Sequence, residues 1–333
     1  MDKPYELSTA KRTRLLHTMN ADGVIAALAI DQRGAMKKML GKYKEPRSED
    51  IVEFKKLVSS ELTKYTSAIL LDPEYGIPAT TQRDASCGLL MAYERTGYDA
   101  TVAGRLPDLL GHWSARRLQE AGADAVKFLL YYDPDESDEI NDQKKAFVER
   151  IGAECKAEEM PLFVELVTYD AGTTGLNGVD PKSAEYAKMK SGKVLEATRE
   201  FSKPRYGVDV LKLEVPVNMA FVEGFTDGGV APVYSADEAA GYFKEQAEAT
   251  NLPFIFLSAG VSAELFRKTL RFAKRAGSTF NGVLCGRATW ADGVAAFAQG
   301  GEQEARAWLE GQGRKNVEEL NEVLAETATP IKL

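Results

Sequence analysis

The sequence predicts a closed (β/α)8 TIM barrel with extra N- and C-terminal helices, and three observations lead there. Short apolar runs recur along the chain, each followed by a polar loop and a stretch of helical periodicity, and there are eight of them. The runs are apolar throughout rather than alternating, as expected of strands buried on both faces of a parallel sheet, whose crossovers are helices. The 333 residues, 44% of them hydrophobic, exceed the roughly 250 of a typical barrel, and terminal helices and long loops absorb the surplus. No linker or low-complexity segment divides the chain, so residues 1–333 are expected to form a single domain.

In order, the first strand candidate is VIAALAI (24–30), far too short to span a bilayer. A helix over 48–65 follows, with Ser48 as its N-cap. AILL (68–71) and GLLMAY (88–93) start only 20 residues apart, a tight fit for a crossover helix, and an open doubly wound sheet is the alternative this leaves. Helix 107–122 closes on Gly122 and leads into DAVKFLLYY (124–132). Helix 141–159 opens on Asn141, before PLFVELVTY (161–169) and helix 184–202. DVLKLEVPV (209–217) precedes helix 235–250, capped by Ser235, and FIFLSAG (254–260) precedes helix 263–277, closed by Gly277. GVLCG (282–286) completes the set, with long loops around 133–140, 170–183 and 217–234.

Composition narrows the chemistry. His17 and His112 are the only two histidines, so a histidine-built metal site or a Ser-His-Asp arrangement lacks parts, and catalysis must lean on lysines and carboxylates. No metal and no cofactor are expected. A formal charge of -8 argues against nucleic acid and anionic membranes as partners, and a phosphorylated ligand would need a locally basic pocket. Cys87, Cys155 and Cys285 lack CxxC spacing and read as reduced core thiols of a cytoplasmic protein. The polar N-terminus has no apolar signal segment.

The active site of a barrel gathers where its strands end, and five charged residues lie in or just after the apolar runs. Asp31 follows the first, Lys127, Glu165 and Lys212 interrupt the fourth, fifth and sixth, and Arg287 follows the eighth. A buried ammonium is costly unless paired or neutral, and burial with a second cation nearby favours the neutral amine that attacks a carbonyl to form a Schiff base. The plainer reading pairs Lys212 with Glu214 on its own strand, or Lys127 with Glu165 across strands. These residues alone do not say which lysine is the nucleophile. Burial of Glu165 would raise its pKa toward a range in which it both accepts and donates protons, unless it is only a counter-ion. Gln32 and Arg33, beside Asp31, suit a hydroxylated, anionic substrate or form a polar loop.

LSAGVS (257–262), leading into a helix at Ser262, and CGRATW (285–290) end the last two runs, where barrels commonly hold phosphate. Backbone amides with Arg287 would form the cradle; otherwise Gly260 and Gly286 are ordinary turn glycines. AGTTGLNG (171–178) lacks the GK(S/T) ending of a nucleotide loop and reads as a flexible loop beside the site. His17 and His112 read as surface or packing residues, and Trp113, Trp290 and Trp308 as core.

With ALAIDQRGAMKKML, AILLDPEYGIPAT, GADAVKFLLYYDPD, DVLKLEVPVN, LPFIFLSAGVS and NGVLCGRATWADGV in view, the chain resembles the bacterial class I tagatose 1,6-diphosphate aldolase family over essentially its whole length. That family acts in the tagatose 6-phosphate pathway of lactose metabolism and cleaves a ketohexose 1,6-bisphosphate, reversibly and without metal, to dihydroxyacetone phosphate and glyceraldehyde 3-phosphate. The resemblance implies that Lys212 is the Schiff-base lysine, Lys127 its neighbouring cation, Glu165 the proton shuttle, and Asp31 the residue orienting substrate hydroxyls. It further implies that Ser258, Gly260, Gly286 and Arg287 hold the C1 phosphate, with Gln32 and Arg33 assigned to the far end. The expected partners are a phosphorylated ketohexose and copies of the chain itself, as a dimer or tetramer. The alternatives are an aldolase for another ketose phosphate, such as 6-deoxy-6-sulfofructose 1-phosphate, and a phosphosugar-sensing regulator on the same barrel. The divergent loops AGTTGLNGVD and GFTDGGVAPVYS are where a changed preference would reside.

Overall fold

The computed structural model describes residues 7–95, 97–172, 178–226 and 228–333. Every strand candidate forms a strand: β1 (Ile25–Ala29), β2 (Ala68–Leu71), β3 (Gly88–Ala92), β4 (Ala125–Tyr132), β5 (Leu162–Thr168), β6 (Val210–Leu213), β7 (Phe254–Leu257) and β8 (Gly282–Cys285). They pair in parallel in chain order and β8 closes on β1, so the sheet is a barrel and not an open doubly wound sheet. The helices are α1 (Thr9–His17), α2 (Gly34–Leu40), α3 (Ser48–Leu62), α4 (Ile77–Thr80), α5 (Ala115–Glu120) and α6 (Asp138–Ala157) in the first half. The second half carries α7 (Ala184–Phe201), α8 (Ala236–Glu248), α9 (Ala263–Arg275), α10 (Arg287–Trp290), α11 (Gly293–Trp308) and α12 (Arg314–Thr327).

Strand parity sorts the apolar residues into two sets. Ala27, Ala29, Leu70, Leu90, Phe163, Ile255 and Leu284 belong to the cluster inside the barrel, whereas Leu28, Ile69, Leu89, Val164, Leu211 and Val283 belong to the cluster shared with the helices. Leu15 of α1, Met19 and Ile331 join the inner set and close the N-terminal end of the barrel. Lys11 of α1 pairs with the buried Asp209 at 2.7 Å, and His17, largely exposed, meets Asp124 at 3.0 Å. The N-terminal helix is therefore a plug, which leaves the other end for chemistry.

Several boundaries differ from expectation for local reasons. The tight β2–β3 crossover is made with the single turn α4, and its loop is tied down by Arg83, which donates to the Thr80 and Cys87 carbonyls at 2.6 and 3.0 Å. Of the helix expected over 107–122 only α5 forms, capped by Ser114, while Glu94 and Leu109 make an isolated bridge ahead of it. Ser48 is the first residue of α3 and not its cap, since the Asp50 carboxylate bonds back to Arg47. α6 starts earlier than Asn141, capped by Ser137, and Asn141 instead donates to the Asp133 and Glu136 carbonyls. Ser235 caps α8 as expected, and Gly122 and Gly277 lie just past α5 and α9 at φ of 90° and 86°.

Trp290 is fully buried, whereas Trp113 and Trp308 are half-buried against the core. His112 is exposed. All three cysteines are buried free thiols, and burial pushes Cys87 and Cys285 up to about 12. Among the described residues no helix is long and apolar enough to cross a membrane. Of the loop over 171–178, residues 173–177 lie outside the described residues.

Two glycines test the helix packing. A Cβ on Gly152 of α6 would lie 1.9 Å from the Tyr206 carbonyl oxygen, whereas one on the exposed Gly192 of α7 would meet nothing within 4 Å. Gly152→Ala is expected to lower unfolding free energy by about 1–3 kcal/mol. Gly192→Ala should raise it by about 0.5–1 kcal/mol, both read from urea unfolding midpoints.

Candidate active site

All ten residues singled out from the sequence line one cavity of about 610 Å³ at the open end of the barrel. At its base lies a cluster of two lysines and three carboxylates. Lys127, on β4 and 1% exposed, places Nζ 2.7 Å from Glu94 Oε1, 2.7 Å from Glu165 Oε2 and 3.0 Å from Asp31 Oδ2. Lys212 Nζ meets the other Glu165 oxygen at 2.8 Å. Glu165 and Lys212 are register partners across β5 and β6, so parallel pairing sets them side by side on the inner face. Glu165 thus bridges both lysines.

Of the plainer pairings, Lys127 with Glu165 forms and Lys212 with Glu214 does not. Glu214 instead meets Lys190 at 3.1 Å and accepts from the Thr168 backbone N–H and hydroxyl, each at 2.7 Å. Glu94 is the member of the cluster that the sequence reading missed. Its signal was available: it is the first charged residue after GLLMAY, as Asp31 is after VIAALAI.

The electrostatics follow from this packing. Burial favours neutral Lys127, but Asp31, Glu165 and Glu94 outweigh it and hold its pKa well above the ordinary lysine value. Burial likewise works to raise Glu165, yet Lys127 and Lys212 more than offset that, and its pKa lies below the usual glutamate value. The expectation of a burial-raised Glu165 is corrected: in the resting site it is a carboxylate. Asp31 behaves the same way, burial being outweighed chiefly by Lys127 and then Lys212.

The strand ends are tied together behind this cluster. Lys55, fully buried on α3, donates to the Ile30 carbonyl at 2.5 Å and pairs with Asp72. Asp72 accepts from the Glu74 and Tyr75 N–H groups at 3.0 and 2.9 Å, and Glu74 pairs with Arg33 at 2.5 Å. Arg33 also donates to the Glu94 carbonyl at 2.8 Å, and Glu94 holds Lys127, which returns to Asp31. Trp290 donates its indole N–H to the Ala29 carbonyl at 2.9 Å. Arg33 therefore braces β1 against the end of β3, although it borders the cavity.

The β7 and β8 ends form the other wall. A Cβ on Gly260 (φ 76°) would lie 2.8 Å from Arg287 Nη2, so the guanidinium rests directly over that glycine. A Cβ on Gly286 would lie 3.1 Å from the Ala29 carbonyl oxygen and 3.3 Å from Gln32 Nε2. Both glycines answer to close contacts and are more than turn formers. Gln32 thus stands beside Gly286 at this wall and not at the far end. Ser258 is buried, and Ser262 caps α9. The lining carries Arg33, Arg105, Lys127, Lys182, Lys190, Lys212 and Arg287 against Asp31, Glu94, Glu165 and Glu214, the locally basic pocket that an anionic ligand of an acidic protein requires.

A family model described as DeoC/LacD family aldolase matches residues 25–292. The chain is 62% identical to tagatose 1,6-diphosphate aldolase 1 of Enterococcus faecalis over 98% of both chains, and 56% identical to the tagatose 1,6-diphosphate aldolase of Staphylococcus aureus, again over 98% of both. A solved structure of fructose-bisphosphate aldolase from Plasmodium falciparum, in complex with TRAP and a small-molecule inhibitor, superposes with a TM-score of 0.69 at 17% identity over 99% of each chain, a likeness of fold.

The cluster predicts an inverted pH dependence in Lys127→Met. In the parent, the depressed Asp31 and Glu165 contribute stability that is fully present above about pH 5 and lost as pH falls below about 4. Without Lys127 only Lys212 remains to offset burial and the repulsion between the carboxylates, so their pKa values are expected to rise above the unfolded ones and stability at neutral pH to drop by about 3–5 kcal/mol. The loss should shrink as pH falls from about 8 to about 5.5, because the folded state then takes up protons. Urea midpoints at the two pH values check this, and a variant tracking the parent's slope would contradict it.

Proposed function

The chain belongs to the DeoC/LacD aldolase family and is an aldehyde-lyase; from that premise we propose that it is a Schiff-base aldolase reversibly cleaving D-tagatose 1,6-bisphosphate, and related ketohexose bisphosphates, to dihydroxyacetone phosphate and D-glyceraldehyde 3-phosphate. The substrate rests on the names of relatives 56–62% identical over nearly their whole length, and on the basic lining of the cavity. The observation that carries the chemistry is Glu165 bridging Lys127 and Lys212 at 2.7 and 2.8 Å.

Lys212 attacks the C2 carbonyl through its neutral form, so a proton must leave Nζ, and Glu165 Oε1 is the acceptor in contact with it. The same carboxyl returns that proton to the departing hydroxyl as the carbinolamine loses water. The protonated imine then serves as the electron sink: Glu165 takes the proton of the C4 hydroxyl, the C3–C4 bond breaks, and its electron pair passes into an enamine on Lys212. Protonation at C3 and hydrolysis release dihydroxyacetone phosphate and regenerate the amine. Lys127, kept cationic by its carboxylates, returns Glu165 to the ionised state between proton transfers. Asp31, fixed by Lys127, accepts from substrate hydroxyls. Arg287, Ser258 and the backbone at Gly260 and Gly286 hold the C1 phosphate away from the breaking bond, so that binding energy there orients the reacting atoms.

Borohydride added with dihydroxyacetone phosphate should fix one adduct on Lys212, located by peptide mass, and Lys212→Ala should give none. Glu165→Gln should lower kcat by about 10²–10⁴-fold with KM little changed. An unmodified Lys212 in folded, substrate-treated protein contradicts the imine route.

A further inference from the structure

Three cations of the cavity lining, Arg105, Lys182 and Arg287, enter no ion pair among the described residues, whereas Arg33, Lys127, Lys190 and Lys212 all do. Arg287 follows β8. Arg105 lies over Tyr131 of β4, and in a closed barrel of eight strands β4 stands opposite β8. We propose that Arg105, seated on Tyr131 and Tyr169, is the subsite for the phosphate at the far end of the ketose, the end that departs with the aldehyde fragment. The proposal rests on the aldolase reading and replaces Arg33 in that role.

The guanidinium carbon of Arg105 is 3.7 Å from the Tyr131 ring centroid and 5.5 Å from that of Tyr169. A guanidinium laid on an aromatic face keeps its in-plane N–H donors free and gives up little further rotamer freedom when they are used. Its Nε is buried without a hydrogen-bond partner. The platform is itself fixed: the two rings meet edge to face, and the Tyr169 hydroxyl donates to Glu136 at 2.7 Å and accepts from Lys144 at 2.9 Å. One oxygen of Glu136 serves both that contact and Lys144, and the carboxylate makes no ion pair with Arg105.

Tyr131 shares its strand face with Lys127, four residues earlier and about 13 Å deeper along β4. A chain reacting at Lys212, with its first phosphate at Gly260 and Arg287, therefore crosses the mouth toward Arg105. The exposed Lys182 adds charge at the same rim. The backbone agrees, since Arg105 stands at φ 43°, a conformation in which a side chain is strained and glycine is favoured. Arg33 has an unpartnered Nε as well, but both of its terminal nitrogens are engaged, by Glu74 and the Glu94 carbonyl, and Glu74 already neutralises its charge.

Arg105→Gln in the full chain tests the subsite by steady-state kinetics on tagatose 1,6-bisphosphate and tagatose 1-phosphate. The expected result is a loss of at least about tenfold in kcat/KM for the bisphosphate, within about twofold of the parent for the monophosphate. In the synthetic direction KM should rise for glyceraldehyde 3-phosphate and not for dihydroxyacetone phosphate, and Arg105→Lys should recover part of the loss. Equal losses on both ketoses, or no loss on the bisphosphate, overturn the proposal. Borohydride trapping with dihydroxyacetone phosphate separates the two readings: an intact Lys212 adduct beside an unaffected bisphosphate KM refutes the subsite alone, whereas no adduct in the parent refutes the aldolase mechanism beneath it.

Discussion

An ammonium taken wholly out of water has two outcomes: it loses its proton, or carboxylates gather around it closely enough to keep it. Lys127 takes the second course, and much of the mouth follows from that. Asp31, Glu94 and Glu165 converge on its Nζ from the ends or interiors of three other strands, and Glu165 passes its second oxygen to Lys212. The charge that Lys127 retains, together with that of Lys212, overrides the effect of burial on Asp31 and Glu165. Glu165 is left as a proton acceptor in direct contact with a lysine, the arrangement that imine chemistry needs. On the proposed mechanism, a structural ion cluster and a catalytic base are one set of atoms.

Such a cluster works only if its strand ends do not drift. The barrel interior below it is apolar and closed at the base by α1, while the upper rim is joined by a circuit of charge-assisted hydrogen bonds through Lys55, Asp72, Glu74 and Arg33. Trp290 adds a bond to the Ala29 carbonyl, connecting the β8 wall to the strand end that carries Asp31. Glycine at 260 and 286 lets the Arg287 guanidinium and Gln32 approach the backbone where a phosphate would be received. Rigid positioning of this kind serves a reaction whose acceleration depends on aligned proton transfers.

Much of this was legible in the sequence. Runs apolar on both faces can only be interior parallel strands, and a charge inside such a run is conspicuous, which is why Lys127, Glu165 and Lys212 stood out. Which carboxylate faces which lysine is a matter of register between strands, and no spacing along the chain shows that Glu165 and Lys212 are partners or that Glu214 turns to Lys190. Glu94 lies one residue past its apolar run, as Asp31 and Arg287 do, and the same rule would have found it. That Arg33, which borders the cavity, also braces two strand ends follows from Glu74, distant in sequence, reaching it. Arg105 lies between the third apolar run and the helix expected from 107, where nothing in the sequence marks it, and only the fold sets it over Tyr131.

The proposed proton transfers all depend on Glu165 being ionised in the resting site. An infrared difference spectrum between the resting protein and its Glu165→Gln variant, taken from about pH 6 to about pH 8, reads it directly. Carboxylate stretching bands alone are expected across that range. A carbonyl stretch of a protonated carboxylic acid, present in the parent and missing in the variant, would contradict that.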